Sequence, residues 1–364
     1  MYLHGKAEQI NESKNKAVWG EPYSGKEIIV QRKKILVLYT VNCSSHVAYQ
    51  IAAHFEKTDH DVCVTGNESC YDNQVMVNRL LRYVTHPNVA SVLIVSHGCE
   101  FIQGELIRNY AEKNGHRAEI IYTQQLGTEK AINEGIRRVQ SMLDAPISCI
   151  PVQRLPVLGV VVSNSEREPV LDQLAISFCV EAVTAGNAVL LLPGLPLEAL
   201  FGQQPNNPDA AALMHKAGTL SKEHKTYHCY EWIPQTGFPE NFVSLTRGIL
   251  KLSEQPVAPG IWLVDTYQDK ELYRGFPNRS PSSDLMELCS CGAAMSLVLS
   301  TRGNILSTPL MPLYKVILQS GTPSCLNQEA DVLLDESSHI PIPLLLGNIF
   351  TGLKIGRASC RERV

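Results

Sequence analysis

Apolar and polar residues follow one another along the chain in blocks that predict strands and helices in turn. Lys34–Thr40 (KILVLYT) is a continuous apolar run, which is typical of a strand buried on both faces. From about His46 to Phe55 the apolar residues recur at helical spacing, and serines precede them, as is common at a helix start. Residues 34–55 are therefore predicted to form a strand, a short loop and a helix.

The same order of elements repeats up to residue 150 and starts again after residue 156. This alternation predicts an α/β fold in which a doubly wound, mostly parallel sheet domain is followed by a second α/β domain. Right-handed crossovers bring the loops that follow the strands to one sheet edge, where such folds bind ligands. Further strands are predicted at Asp61–Thr65, Ala90–Ser96, Ala118–Thr123, Val157–Ser163, Ala188–Leu192, Gly260–Asp265, Ala294–Leu299 and Leu313–Leu318, and further helices at Asn73–Val84, Ile102–Asn114, Glu129–Leu143, Val170–Thr184 and Ser283–Cys289.

Changes in composition predict where the parts of the chain meet. Residues 1–25 are polar and are expected to form a loose arm. The proline-containing stretch Asp144–Pro156 is the predicted linker between one α/β domain at 26–150 and a second at 151–354. The last ten residues, Ile355–Val364, resemble the translation of a sequencing adapter. We therefore expect them to be an artefact, with the second domain truncated before them.

Composition and charge exclude several classes of protein. The chain has 364 residues of which 44% are hydrophobic, enough for a sizeable core. Its net charge of −4 gives no broad basic surface, so nucleic acid is not an expected partner. The apolar runs have the length of strands, whereas a membrane helix needs roughly 18 residues, so no membrane is expected. Eleven cysteines without a preceding signal peptide predict a reduced, cytoplasmic protein.

Three of the cysteines occupy equivalent places in the pattern. Cys43, Cys70 and Cys99 each follow a predicted strand, so they could converge at the carboxyl edge of the sheet. Thiolates suit iron and other soft transition metals, which makes these residues candidate metal ligands. A cysteine in a tight loop is also commonly no more than a small buried residue. The sequence leaves both interpretations open.

Short motifs along the chain occur in the order in which they stand in one known family. These motifs are Thr40-Val41-Asn42-Cys43-Ser44, His86-Pro87-Asn88-Val89, Gly98-Cys99-Glu100, Gly127-Thr128, the stretch Pro259–Thr266, Thr301-Arg302-Gly303 and the stretch Pro312–Val316. Together they resemble the altronate and galactarate dehydratases, a family of sugar-acid hydro-lyases. The resemblance runs from about residue 26 to residue 335 and covers the second and C-terminal domains of that family.

The resemblance implies the removal of water from a sugar acid, such as altronate or galactarate, to give a 2-keto-3-deoxy acid. It also implies a divalent metal, typically Fe2+, which stabilises the charge that builds up on the substrate carboxylate. A base must then take the proton from carbon, and an acid must protonate the departing oxygen. The small amino-terminal domain of many members is not recognisable here. A separate subunit that carries it, and a homo-oligomer, therefore remain open as partners.

Residues in or next to the matched motifs are the candidates for this chemistry. His97 and Glu100 are candidate catalytic or metal-binding groups, although Glu100 could instead be a charge at a helix start. Ser44, Ser45 and Thr128 stand at predicted helix starts, where they could bind a substrate carboxylate or simply cap the helix.

Two further substrate-binding candidates lie in the second half. Arg302 could clamp a carboxylate through two hydrogen bonds or form a structural ion pair. Asp265 could line the same cleft or close a turn.

Two loops of the family are replaced in this chain. Residues 164–168 (NSERE) stand where the family has Cys-Gly-Gly-Ser-Asp, and residues 192–196 (LPGLP) stand in place of Ser-Glu-Thr-Pro-Glu. The replacements keep two alternatives open. One is a family member that has lost catalysis and acts as a binding or regulatory protein. The other is a carbon–sulfur lyase that resembles sulfolactate sulfo-lyase.

Overall fold

The structure is a computed structural model with two parallel sheets and flanking helices, which confirms the predicted α/β class. The predicted arm at 1–25 and the expected artefact Ile355–Val364 lie outside the described residues, as does most of the predicted linker. No helix in the described part of the chain combines the length and the apolarity that crossing a bilayer requires. The described residues are 34–57, 61–70, 74–145, 155–163, 168–191, 239–264, 281–301, 307–318 and 330–334.

The first sheet has four parallel strands in the order β2-β1-β3-β4. Alternate residues of β1 point to opposite faces, both of which are covered, which explains why residues 35–39 are all apolar or aromatic. Helices α1 and α5 pack on one face, and α2 and α3 pack on the other. The elements are β1 (Lys34–Tyr39), α1 (Asn42–Phe55), β2 (Val62–Gly66), α2 (Gln74–Val84), β3 (Val89–Ser96), α3 (Gly104–Lys113), β4 (Arg117–Tyr122), α4 (Thr123–Leu126) and α5 (Thr128–Asp144).

The second sheet has seven parallel strands in the order β11-β10-β9-β5-β6-β8-β7. Helix α6 is buried against one face, and α8 covers part of the other. Proline is the first residue of α6, where its missing N–H costs nothing. The elements are β5 (Val157–Ser163), α6 (Pro169–Thr184), β6 (Ala188–Leu191), α7 (Glu240–Leu245), β7 (Thr246–Leu250), β8 (Gly260–Val264), α8 (Pro281–Ser290), β9 (Met295–Ser300), β10 (Leu313–Leu318) and β11 (Val332–Leu334).

One hydrophobic cluster joins the two halves of the molecule. It contains residues of β1, α2 and α3 from the first half together with residues of β5, β6 and α8 from the second. Within this packing surface Arg79 of α2 forms an ion pair with Glu287 of α8, at 2.7 Å between Nη2 and Oε2. Burial by itself raises the pKa of the Glu287 carboxyl, but Arg79 and hydrogen bonds from Ser290 and the Ser253 N–H lower it overall.

The His-Pro-Asn motif lies at the same packing surface. The Asn88 side-chain amide donates to the carbonyl oxygens of Ala294, at 2.8 Å, and Leu310, at 2.9 Å. Nδ1 of His86 accepts the Asn88 N–H, so the proton is assigned to Nε2, which donates to the Ala293 carbonyl at 3.0 Å. Both side chains are buried. In this structure the motif therefore ties the first half to the turns that precede β9 and β10.

Candidate functional site

The candidate site lies at the carboxyl edge of the first sheet, where the strand order reverses. From β1 the chain crosses to β2 on one side, and β3 lies on the other side of β1. The loops after β1 and β3 therefore lead away in opposite directions, and this is the position at which open α/β sheets usually bind ligands.

Strand register brings the three candidate cysteines to this edge. Cys43, Cys70 and Cys99 each stand four residues beyond one row of register partners, and we call them the cysteine row. Because β1, β2 and β3 are neighbouring parallel strands, all three cysteines lie just beyond the same edge of the sheet. All three are exposed. The register partners are Gly66 on β2, Tyr39 on β1 and Val95 on β3.

The thiols of the cysteine row interact with one another. A hydrogen bond with Cys43, together with the charge of that group, raises the pKa of Cys70, and Cys99 contributes less. Three soft thiols are a suitable donor set for iron or another transition metal. As they stand, however, no three His, Cys, Asp or Glu side chains within the described residues are arranged to hold a metal ion. Binding would therefore require the exposed thiols to turn towards a common point.

Main-chain hydrogen bonds fix the loop that carries Cys70. The N–H of buried Asn67 donates to the carbonyl of Tyr39 at 3.0 Å, which continues the pairing of β2 with β1. The Asn67 side-chain oxygen accepts the Ser69 N–H at 3.0 Å, which forms an Asx turn. Cys70 thus follows a turn that is anchored to the neighbouring strand.

Glu100 organises the loop that carries Cys99. Its Oε1 accepts hydrogen bonds from Thr40 Oγ1 at 2.7 Å, from the His97 N–H at 3.0 Å and from the Ser96 hydroxyl. Its Oε2 accepts the N–H of Gly98, which has a φ of +120° that favours glycine. Burial alone raises the pKa of the Glu100 carboxyl, but the hydrogen bonds lower it overall. The carboxylate therefore links the ends of β1 and β3 around Cys99.

Comparison with known families finds a match for the part of the chain that holds the first sheet. Residues 30–146 match the family described as D-galactarate dehydratase/altronate hydrolase, second domain. This part of the chain is similar to that domain. The matched range contains the whole first sheet and the cysteine row. The match associates residues 30–146 with the sugar-acid lyases that the motifs predicted. No curated protein matches the chain.

His97 lies at the same edge of the first sheet, directly after β3. Its Nδ1 lies 2.8 Å from the Thr123 hydroxyl, and its carbonyl accepts the Gln124 N–H at 3.0 Å. The ring is half-buried. Both contacts join the Cys99 loop to α4, which follows the neighbouring strand β4, and they fix the orientation of the imidazole.

The predicted substrate-binding residues differ in burial and in hydrogen bonding. Ser44 is fully buried, and its hydroxyl donates to the carbonyls of Val41 and Val95, both at 2.9 Å. This placement gives Ser44 a structural role at the start of α1. Ser45 is half-buried and donates to the Asn42 carbonyl at 2.7 Å. Thr128 is exposed at the start of α5, beyond the edge strand β4.

Neither serine caps α1, because the helix begins at Asn42 and not at about His46 as predicted. The two serines lie in its first turn, and Val41 is the cap residue without a side-chain hydrogen bond. The other two candidates, Asp265 and Arg302, lie outside the described residues.

Sequence analysis did not identify a tyrosine pair that lies beside the cysteine row. Tyr39 is buried at the end of β1, and its ring centroid lies 6.0 Å from that of Tyr49 on α1. Burial raises the pKa of Tyr39 above the usual range, and Tyr49 and Glu68 add to this effect. Tyr39 therefore remains a protonated phenol. The available signal was a tyrosine at the end of an otherwise aliphatic strand.

Proposed function

We propose that the chain is a hydro-lyase that removes water from a sugar acid such as altronate or galactarate to give a 2-keto-3-deoxy acid. The observation that carries this proposal is the cysteine row. It lies at the strand-order reversal of the part of the chain that matches the second domain of the D-galactarate dehydratase/altronate hydrolase family. The reaction needs charge stabilisation and proton transfer at one place, and this edge supplies groups suited to both.

The three cysteines would hold the metal, which we propose to be Fe2+. When bound, such an ion supplies the Lewis acidity that stabilises negative charge on the substrate carboxylate. Helix α1 begins within the cysteine row and has no acidic residue in its first turn. Its positive N-terminal end therefore favours an anionic substrate at this edge.

His97 and Glu100 take different parts in this proposal. His97 is the candidate for moving the proton, because its imidazole is oriented through Nδ1 and histidine is the side chain that most often acts as a general acid or base. Glu100 accepts four hydrogen bonds, and its lowered pKa makes it a poor proton acceptor. The contacts favour Glu100 as a positioning residue that keeps the Cys99 loop in place.

Metal content and product formation test the proposal together. The chain is purified without oxygen and its iron is measured beside that of Cys99→Ala and of a control, Cys63→Ala. Cys63 is a buried cysteine of the same sheet. We expect about one iron per chain in the wild type and in the control, and little in Cys99→Ala. A panel of sugar acids with ferrous iron should then yield a 2-keto-3-deoxy acid.

Other outcomes distinguish the alternatives. An absence of both bound metal and product across the panel, with folded protein, would overturn the hydro-lyase and favour a binding or regulatory protein. Release of sulfite from sulfolactate without dehydration would favour the carbon–sulfur lyase instead.

A further inference from the structure

Glu100 places a fixed negative charge at the candidate site. Its Oε1 accepts three hydrogen bonds, from the hydroxyls of Thr40 and Ser96 and from the His97 N–H. These donors lie at the ends of the neighbouring strands β1 and β3, so the carboxylate cannot turn away without losing bonds to both. Burial opposes ionisation, but the hydrogen bonds outweigh it and lower the pKa of Glu100, so the group is charged at neutral pH.

The second oxygen of this carboxylate has room for another donor. Within the described residues Oε2 accepts one hydrogen bond, from the Gly98 N–H, and a carboxylate oxygen can accept two. Gly98 and Cys99 are exposed and Glu100 is half-buried, so the Oε2 side of the group lies next to exposed residues. A ligand at this edge therefore meets a fixed anion that accepts hydroxyl donors and repels other anions.

The loops at this sheet edge supply no lysine or arginine to balance the charge. Residues 40–45, 67–73, 97–103 and 123–129 follow the four strands and contain neither residue type. Their sequence includes four carboxylates instead, those of Glu68, Asp72, Glu100 and Glu129. In the proposed function one substrate carboxylate is neutralised by the metal. These loops offer no positively charged partner to a second one.

We propose that Glu100 is a specificity-determining residue that selects sugar acids with one carboxylate over sugar acids with two. This inference rests on the proposed function and narrows its substrate class. An aldonic acid such as altronate carries hydroxyl groups at the end away from its carboxylate, and these can donate to Oε2. An aldaric acid such as galactarate carries a second carboxylate there, which brings two like charges together without a counter-charge.

Kinetics on the two classes of acid test this selection. The full chain is assayed with excess ferrous iron on a panel of aldonic and aldaric acids, and kcat/KM of the best acid in each class is compared. We expect the aldonic acid to be favoured about tenfold, because like charges about 10 Å apart near a protein surface repel by roughly that factor. Added salt screens the repulsion and should lower the ratio.

Three variants separate the charge from the structure of the loop. Glu100→Gln removes the charge and should bring the ratio close to one, even where both rates fall. Glu100→Asp keeps the charge and should keep the preference. The control Glu105→Gln, on α3 outside the loop, should match the wild type. A residue that only holds the loop in place would lower both kcat/KM values and leave their ratio unchanged.

The outcomes separate this inference from the proposed function. A wild-type ratio near or below one would overturn the selection and leave the hydro-lyase standing, with a cation from outside these loops receiving the second carboxylate. A preference that persists in Glu100→Gln would overturn the role of Glu100. Turnover of no acid in either class would overturn the proposed function and this inference with it.

Discussion

Replacement of Arg79 by methionine removes the positive partner of Glu287 at the packing surface between the two halves. The side chains are 9% and 0% exposed, respectively, so water cannot compensate the remaining carboxylate. Loss of one partner of a buried ion pair costs about 3–5 kcal/mol. The hydrogen bonds from Ser253 and Ser290 persist in the variant, which favours the lower end of that range.

Chemical unfolding measures this effect. Circular dichroism and the fluorescence of the tryptophans, which include Trp262 on β8, follow the unfolding transition. A matched control is Arg117→Met. Arg117 contacts Glu119 at the same 2.7 Å distance, but its side chain is 39% exposed. Exposed pairs contribute little, so the control should lose less than about 1 kcal/mol.

The double variant Arg79→Met/Glu287→Met tests the reasoning. Replacing both charges with apolar side chains removes the unpaired group, so the double variant should recover most of the loss seen in Arg79→Met. A loss below about 1 kcal/mol in the single variant would refute the argument. So would a double variant that loses the sum of the two single effects.

Four further predictions rest on contacts of Glu287, Asn88, Gly98 and Glu100. As the pH is lowered, the free energy of unfolding should start to fall below the ordinary Glu pKa of about 4.3 and go on falling through the lower pKa of folded Glu287, because the unfolded state binds the proton more readily. Glu287→Gln should reduce this pH dependence. Asn88→Ala leaves two main-chain carbonyls without their donor and should lose about 1–3 kcal/mol for each one left unsatisfied, so an unchanged Tm would contradict it. Gly98→Ala imposes a φ of +120° on alanine and places its Cβ 2.9 Å from a glutamine oxygen, so denaturant unfolding should show a loss of about 1–3 kcal/mol. Glu100→Gln should lower iron retention, whereas Glu105→Gln, outside the loop, should retain it.

Much of the fold could be predicted because most strands are buried on both faces. Such strands are continuous apolar runs, so Val157–Ser163 and Leu313–Leu318 were predicted with the bounds that the structure gives. Most other elements differ by one or two residues, as with Ala90–Ser96, which begins at Val89, whereas the first helix begins about four residues before the predicted start. Alternation of strand and helix then fixes a parallel sheet, since parallel neighbours need crossovers.

The missed elements lack that signal. β7 lies at the edge of its sheet, and four of its five residues are partly exposed, so no apolar run marks it. β11 has three residues and α4 has four, which is too short for periodicity to appear. α7 lies in a segment rich in proline, glycine and asparagine that the sequence left uninterpreted.

The candidate site was predictable only where position along a strand determines position in space. The convergence of Cys43, Cys70 and Cys99 follows from their places after three strands, although equal offsets became visible only with the register. The hydrogen bonds of Thr40 and Ser96 to Glu100 depend on which strands are neighbours, and composition does not contain that information.

The two sides of the His86 and Asn88 contact between the halves differ in how well they tolerate substitution. His86 and Asn88 act through their side chains, but what they contact in the second half is backbone carbonyl oxygen. Every amino acid supplies such an oxygen, so side chains at positions 293, 294 and 310 can change without removing an acceptor. A change at position 86 or 88 removes a donor that few other residues replace. Mutational scanning should therefore find that positions 293, 294 and 310 tolerate substitution and that positions 86 and 88 do not.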